Sequence, residues 1–244
     1  DAKLFDRFAR GWTLTAEGGE LLRKAQGVEQ EVTAFRRVAS GMDALTGTVR
    51  ISAPPLMLSH LIMPHLGAVI EAHPGLILEL VGERREADLA RAEADIAVRL
   101  GEPSEPNLIV RHLGAIRYGF YGLPHQTEQP KFDRAYIGFD DSMPDLPQKS
   151  WLEAQADGCR ISLKTNDMST MLEAALAGLG VALLPEFLAR PHERLTELEV
   201  DAPTPFRPLY LAMHPDIRRA RRVQIVADQL SRVLMPTFRK NRLR

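Results

Sequence analysis

Apolar residues recur at Leu21, Ala25, Val28, Val32, Phe35, Ala39 and Met42, with spacings that alternate strictly between four and three. This is a heptad stripe, carried by a segment that Thr15 can cap and whose first turn holds Glu17. A helix packed on its own domain is the simpler reading of such a stripe. Strict alternation over ~28 residues, roughly 42 Å of helix, favours a second helix as its partner. Residues 15–46 are therefore predicted to form a linker and dimerisation helix, with Gly41 and Gly47 marking its exit.

Beyond Gly47 the pattern changes to strands alternating with helices. Residues 48–53 alternate with Val49 and Ile51 on one face, and residues 58–72 read as a helix stopped by His73-Pro74-Gly75. The run LILELV at 76–81 is apolar almost throughout, as in a strand covered on both faces. A short polar helix at 87–92 leads to DIAVRL at 95–100, and further strands are predicted at 108–113 and 118–122. After Pro124 a second series begins: strands at 135–139, 159–163 and 180–184, with helices at 149–156 and 167–177 between them. RPLYLAM at 207–213 is a last strand before a terminal helix whose apolar face is Val223, Val226, Leu230 and Val233. The expected fold class is α/β, with a long N-terminal helix followed by two lobes. Lobe I takes 47–122 and 213–244, and lobe II takes 123–212, with crossings near 122 and 212. A cleft between such lobes is the default ligand site.

Composition narrows the classes. A hydrophobic share of 45% and a charged share of 26% are those of an ordinary globular protein. No run approaches the ~20 apolar residues of a membrane span, so a cytoplasmic chain with no membrane partner is expected. The single cysteine, Cys159, excludes an internal disulfide and reads as a small buried hydrophobe opening a strand. The net charge of −1 conceals an uneven spread, because residues 218–244 hold nine basic residues and one acidic residue. On the terminal helix these charges read as its solvent face rather than a nucleic-acid site.

Catalytic chemistry finds no support. There is no P-loop, no GxGxxG after a strand and no GxSxG elbow, so neither a cofactor nor a serine nucleophile is expected. The seven histidines fall at no ligand spacing, and no metal is expected. Asp140-Asp141 lies in a Pro-containing loop and reads as solvated.

The segment LFDRFARGWTLTAEG at 4–18 resembles the wing of LysR-type transcriptional regulators, whose pattern is roughly LFxRxxRxxxLTxAG. It matches at Leu4, Phe5, Arg7, Arg10, Leu14, Thr15 and Gly18, with Glu17 where alanine is usual. GTVRISAPP, the EAHPG helix end, ADIAVRLG and AALAGLGVALLP stand in the order that family places them. The resemblance implies a winged helix-turn-helix, a dimerising linker helix and a two-lobed effector domain like a periplasmic binding protein. Residues 1–14 would be the wing. The three helices expected before it, including the recognition helix, are absent, so the chain reads as a piece of a longer protein.

By that resemblance Arg7, Arg10, Trp12 and Thr13 are candidate DNA contacts, reaching phosphates or the minor groove. The effector would lie between the lobes. It would touch Ala53, Pro54, Pro55, Leu56, Leu58 and Ser59 after the first strand, and Gly82 and Glu83 after the second. Arg99, Leu100 and Gly101 follow the third strand, and Thr165, Asn166, Asp167 and Met168 start a helix in lobe II. Strand ends and helix N-termini suit a carboxylate, and the apolar APPLMLS loop suits a hydrophobic portion. Simple helix capping explains Thr165, Asn166 and Asp167 equally well. The implied partners are DNA, a small-molecule effector and further copies of the chain, as homodimer or homotetramer. A stand-alone solute-binding protein and an enzyme on a related scaffold are the alternatives.

Overall fold

The computed structural model describes residues 4–8, 11–22, 24–25, 28, 32, 45–83, 94–103, 108–142, 146–201 and 205–239. At the N-terminus β1 (Phe5–Phe8) pairs antiparallel with β2 (Gly11–Leu14), setting Arg7 opposite Trp12. Helix α1 follows, described over 16–22 and at 24, 25, 28 and 32. Thr15 caps it as expected, its Oγ1 accepting from the Gly18 amide at 2.9 Å. The Thr15 amide donates to the Leu4 carbonyl at 3.1 Å, which ties the hairpin to the helix. Gly18 is what allows this closeness, because a Cβ there would lie 2.1 Å from the Leu4 oxygen. Of the heptad stripe, Leu21, Val28 and Val32 are exposed at 51%, 63% and 45%. Ala25 is exposed as well, whereas Phe35, Ala39 and Met42 lie outside the described residues, as does Arg10.

In lobe I, β3 (Gly47–Ala53) runs parallel to β4 (Leu76–Gly82) on one side and to β5 (Ile96–Leu100) on the other. The single helix expected at 58–72 is broken instead. It consists of α2 (Pro55–Met57), a π turn (Leu58–Ile62), a 3₁₀ turn (Met63–His65) and α3 (Gly67–Ala72). The Met63 amide reaches back to the Leu58 carbonyl, and Pro64 has no N–H to continue an α-helical ladder. The helix expected at 87–92 lies outside the described residues.

The two strands expected at 108–113 and 118–122 are one, β6 (Ile109–Gly122). A bulge at Leu113 and the left-handed Gly114, φ +129°, let it bend without breaking. Lobe II then adds α4 (Pro124–Thr127), β7 (Ala135–Gly138), α5 (Pro147–Gln155), β8 (Arg160–Lys164), α6 (Met168–Leu176), β9 (Val181–Pro185), α7 (Glu186–Ala189) and β10 (Thr196–Leu198). Finally β11 (Phe206–Met213) returns to lobe I and α8 (Arg221–Arg239) closes the chain. Among the described residues the sheet runs β4-β3-β5-β11-β6-β9-β7-β8, with β10 on β6.

This order moves the crossings. Residues 109–117 of β6 pair with β11, and 118–121 pair with β9, so the outgoing crossing falls at 117–118 rather than near 122. Residues 209–212 of β11 already pair with β5 in lobe I, so the return falls at about Phe206 rather than near 212. One apolar cluster threads both lobes, with Ile51, Val98, Phe120, Tyr136, Leu183 and Leu209 fully buried. Helix α8 lies on lobe I with Val223, Val226 and Leu230 fully buried and Val233 half-buried, while Arg221 and Arg232 remain exposed. Cys159 is half-buried in the turn before β8, with Sγ 3.3 Å from the Lys131 carbonyl, because β8 starts one residue later than expected.

Gly114 is also a point of close approach between β6 and α8, since a Cβ there would lie 2.6 Å from that of Phe238. Gly114→Ala should therefore cost about 2 kcal/mol through backbone strain and overpacking. In thermal unfolding this corresponds to a fall in Tm of roughly 4–8 °C. An unchanged Tm would mean that the crossing can bend by another route.

Candidate functional site

The parallel strands of lobe I deliver their C-terminal ends to one place. The Ala53 carbonyl accepts from Glu83 N–H at 3.1 Å, joining the end of β3 to the loop after β4. Gly82 sits under Pro55, whose Cγ a Cβ on Gly82 would meet at 3.2 Å. Pro54 accepts from the Met57 and Leu58 amides and so starts α2, with Pro55 at its first position. Ala53 and Leu58 are buried, Pro54 and Leu56 are half-buried, and Pro55 and Ser59 are exposed. Ala53 and Leu58 both pack in the core, so these two of the expected contacts of this loop are directed inward. The π turn packs against α7, so the two lobes touch here.

Arg99 does not present a free guanidinium. Its Nη1 donates to the Ser52 carbonyl at 2.8 Å and the Val98 carbonyl at 2.9 Å, and its Nη2 donates to Ser52 Oγ at 2.7 Å. Ser52 is 1% exposed, and its Oγ lies 3.5 Å from Glu83 Oε2. Arg99 thus clamps the end of β3 onto β5. Next to it, Gly101 adopts φ +101°, and its amide donates to the Pro208 carbonyl at 2.9 Å.

In lobe II, α5 and α6 begin just after the C-terminal ends of β7 and β8. Asp167 caps α6, its Oδ2 accepting from both the amide and the hydroxyl of Thr170 at 2.9 Å. Thr165 Oγ1 accepts from the Asp167 amide at 3.2 Å, and Asn166 Nδ2 donates to Ser142 Oγ at 2.6 Å. Met168 packs half-buried against the core. Each polar member of this group is engaged in capping or loop closure. A carboxylate already sits at the α6 N-terminus, where it competes with any incoming anion.

The crossing holds residues that the sequence reading missed. Arg117, at the last step of the β6–β11 ladder, grips Glu197 of β10 with both Nη atoms and Glu186 of α7 through Nε at 3.2 Å. The hydrogen bonds it donates to the Glu197 carboxylate hold its guanidinium well above the ordinary range, against the opposing effect of burial. Tyr121 donates to Glu197 at 3.2 Å, and burial followed by the Glu197 charge pushes its hydroxyl up. Tyr118 is buried, and desolvation raises its hydroxyl while the Gln148 amide and the Arg207 charge oppose that rise. Arg207 donates through Nη2 to the Leu100 carbonyl at 3.0 Å. The available signal is that Arg207 is the single charge of β11 and that Arg117 is the only charge between Ala115 and Gly122. Among the described residues no three His, Cys, Asp or Glu side chains converge as metal ligands.

At the N-terminus Thr13 is exposed on β2, and Arg7 and Trp12 are directly cross-strand as Cα partners.

Comparison with known proteins gives a consistent result. Residues 43–235 match the family model described as the LysR substrate binding domain. The HTH-type transcriptional regulator CrgA of Neisseria meningitidis serogroup C (strain 8013) is 29% identical over 196 residues, covering 76% of this chain and 65% of CrgA. The chain thus spans just under two thirds of that relative. The uncharacterized HTH-type transcriptional regulator YhjC of Escherichia coli (strain K12) is 26% identical over 258 residues, covering 95% of this chain and 83% of YhjC. The full-length Vibrio cholerae virulence activator AphB, a member of the LTTR family, superposes with a TM-score of 0.67 at 20% identity, covering 93% of this chain and 83% of AphB.

The clamp role of Arg99 is open to test. Arg99→Leu would strand the Ser52 hydroxyl and two carbonyls in a half-buried setting. It should destabilise the chain by about 2–3 kcal/mol in urea titration. A residue that served only to hold an effector would leave ligand-free stability untouched, and that result would refute the clamp.

Proposed function

The chain belongs to the LysR-type regulators, and from that premise we propose that it acts as a DNA-binding transcriptional regulator sensing a small-molecule effector between its two lobes. The observation that carries this reading is the convergence at the crossing. The ends of β3 and β4 meet at the Ala53–Glu83 contact, the end of β5 meets β11 at Leu100–Arg207, and the Leu58–Ile62 turn of one lobe packs against α7 of the other. A ligand held there touches both lobes and biases their relative angle, which is the differential contact that a switch requires.

The N-terminal part supplies the output in this reading. The β1–β2 hairpin is the wing, with Arg7, Arg10, Trp12 and Thr13 as its DNA contacts through phosphate and groove edge. Helix α1 is the dimerisation element, since Leu21, Val28 and Val32 form an apolar stripe left in water by the single chain. Pairing of effector domains would extend the dimer to a tetramer. The effector is lined by Pro54, Pro55, Leu56 and Ser59, by Gly82 and Glu83, by Leu100 and Gly101, and by residues near Thr165 and Asn166. The compared proteins are named as transcriptional regulators, and the proposal assigns the chain no catalytic step. Among the described residues no helix is long and apolar enough to cross a membrane, consistent with action in the cytoplasm, where bacterial DNA lies.

Two measurements test this. Val28→Asp combined with Val32→Asp should shift the chain towards monomer in sedimentation velocity, because an unpaired carboxylate in a helix seam is strongly destabilising. Association equal to that of the unmodified chain would remove α1 as the contact. A thermal-shift screen of small carboxylates should find a stabilising compound, with about 2.7 kcal/mol expected at a hundredfold excess over Kd. A screen in which no carboxylate stabilises the chain would count against the sensing role.

A further inference from the structure

Where β6 changes partner, side chains brace the joint. Arg117 is the last residue of β6 paired with β11, opposite Phe206, and Tyr118 is the first paired with β9, opposite Pro185. One step further along that antiparallel register stand Arg117 and Glu186, the residue that opens α7. The backbone ladder stops at Pro185, and an ion pair takes its place, with Arg117 Nε donating to Glu186 Oε2 at 3.2 Å. The same guanidinium grips Glu197 of β10 through both Nη atoms, Nη2 at 2.6 Å. The second Glu186 oxygen, Oε1, lies 2.8 Å from Arg190 Nη2, one helical turn on. Arg117 and Arg190 thus balance the charges of Glu186 and Glu197. The cluster is largely withdrawn from water at its centre, where the side chains of Arg117 and Glu186 are 21% and 16% exposed.

The two carboxylates differ in what they connect. Glu197 sits on β10, which pairs with residues 120–122 of β6, so its bond to Arg117 stays within lobe II. Glu186 heads α7, and α7 reaches lobe I, where it packs against the Leu58–Ile62 π turn. Helix α7 has four residues, with Leu188 and Ala189 buried. A helix this short does not hold its own conformation, so its seat depends on what fixes its ends. Arg117 fixes its first residue at the crossing. An acid in the first turn of a helix is favourable by charge alone. That role would leave the carboxylate in water, whereas Glu186 is held between two guanidinium groups.

We propose that the Arg117–Glu186 pair is a latch on the angle between the lobes. By fixing the start of α7 at the crossing it keeps α7 seated on the π turn, and so resists the twist that the change of partner on β6 permits. Glu197 is the anchor that holds the guanidinium in place for this purpose. The latch is a property of the ligand-free chain and stands whether or not an effector enters the cleft. Its release is inexpensive, because Arg117 stays paired with Glu197 when Glu186 lets go, and Glu186 keeps Arg190, so no buried charge is stranded.

The test reads the distance between the lobes in the whole chain without ligand. Spin labels are attached through Ile77→Cys in lobe I and Phe132→Cys in lobe II, at side chains exposed at 63% and 71%, with the native thiol removed by Cys159→Ser. Labelled chain is diluted into unlabelled chain, so that double electron–electron resonance reports distances within one molecule. With the latch intact the distance distribution should be narrow. Glu186→Met, which removes both acceptors at similar length, should broaden it well beyond that width. Glu197→Met should lower the Tm and leave the width unchanged, because it loosens an anchor within lobe II. Glu186→Asp keeps an acid at the start of α7 and withdraws it by one methylene, so it should broaden the distribution to a lesser degree. It carries the test alone if Glu186→Met does not fold. A folded Glu186→Met or Glu186→Asp with the width of the unmodified chain would overturn the proposal. Equal broadening by Glu197→Met would overturn it too, since the cluster would then be a general fastening of lobe II.

Discussion

Strand β6 has to satisfy two lobes at once, and the architecture follows from how it does so. Every backbone N–H and C=O withdrawn from water needs a partner. Residues 109–117 find theirs on β11, while 118–121 find them on β9 and 120–122 on β10. The change of partner occurs across a single peptide step, between Arg117 and Tyr118. The lobes are therefore neither separate domains on a flexible linker nor one rigid sheet. They share a strand whose hydrogen bonds hold at both ends, leaving a twist at the change of partner as the inexpensive motion.

The side chains at that step reinforce the division. Arg117 points its fork at β10 and α7, so the C-terminal half of β6 is bound into lobe II by charge as well as by backbone. Arg99 does the corresponding work in lobe I by sewing β3 to β5. Each arginine thus ties together elements of its own lobe.

Much of this was legible in the residues. The alternation of GTVRIS and the apolar LILELV mark β3 and β4 close to their actual limits, and the capped run from Thr15 marks the start of α1, since each depends on local periodicity. The misreadings share a cause. The pattern predicts two strands, 108–113 and 118–122, where β6 runs unbroken, because the left-handed φ of Gly114 carries the strand past Phe238. The crossings were placed about four to six residues too late, because a strand's partner is a long-range fact that its own pattern does not encode. Arg99 is expected at the effector by resemblance, and the structure adds a clamp that its position in the sequence does not announce. Its acceptors on Ser52 are 47 residues away in sequence and invisible to spacing. Pro64 is plain in the sequence, but a proline inside an apolar helical pattern does not announce that the ladder will widen rather than stop.

That widening bears on how chains of this kind change length. In the π turn at Leu58–Ile62 each carbonyl waits five residues for its donor instead of four, so the segment contains one residue more than an α-helix with the same ends would need. Deleting one residue there would tighten the ladder without moving β3 or β4, whereas a deletion in either strand would turn its buried face outward. Insertions and deletions in evolution should therefore collect at this turn. An alignment drawn straight through it would rotate every following helical position by about 100°, assigning buried roles to exposed side chains along α3.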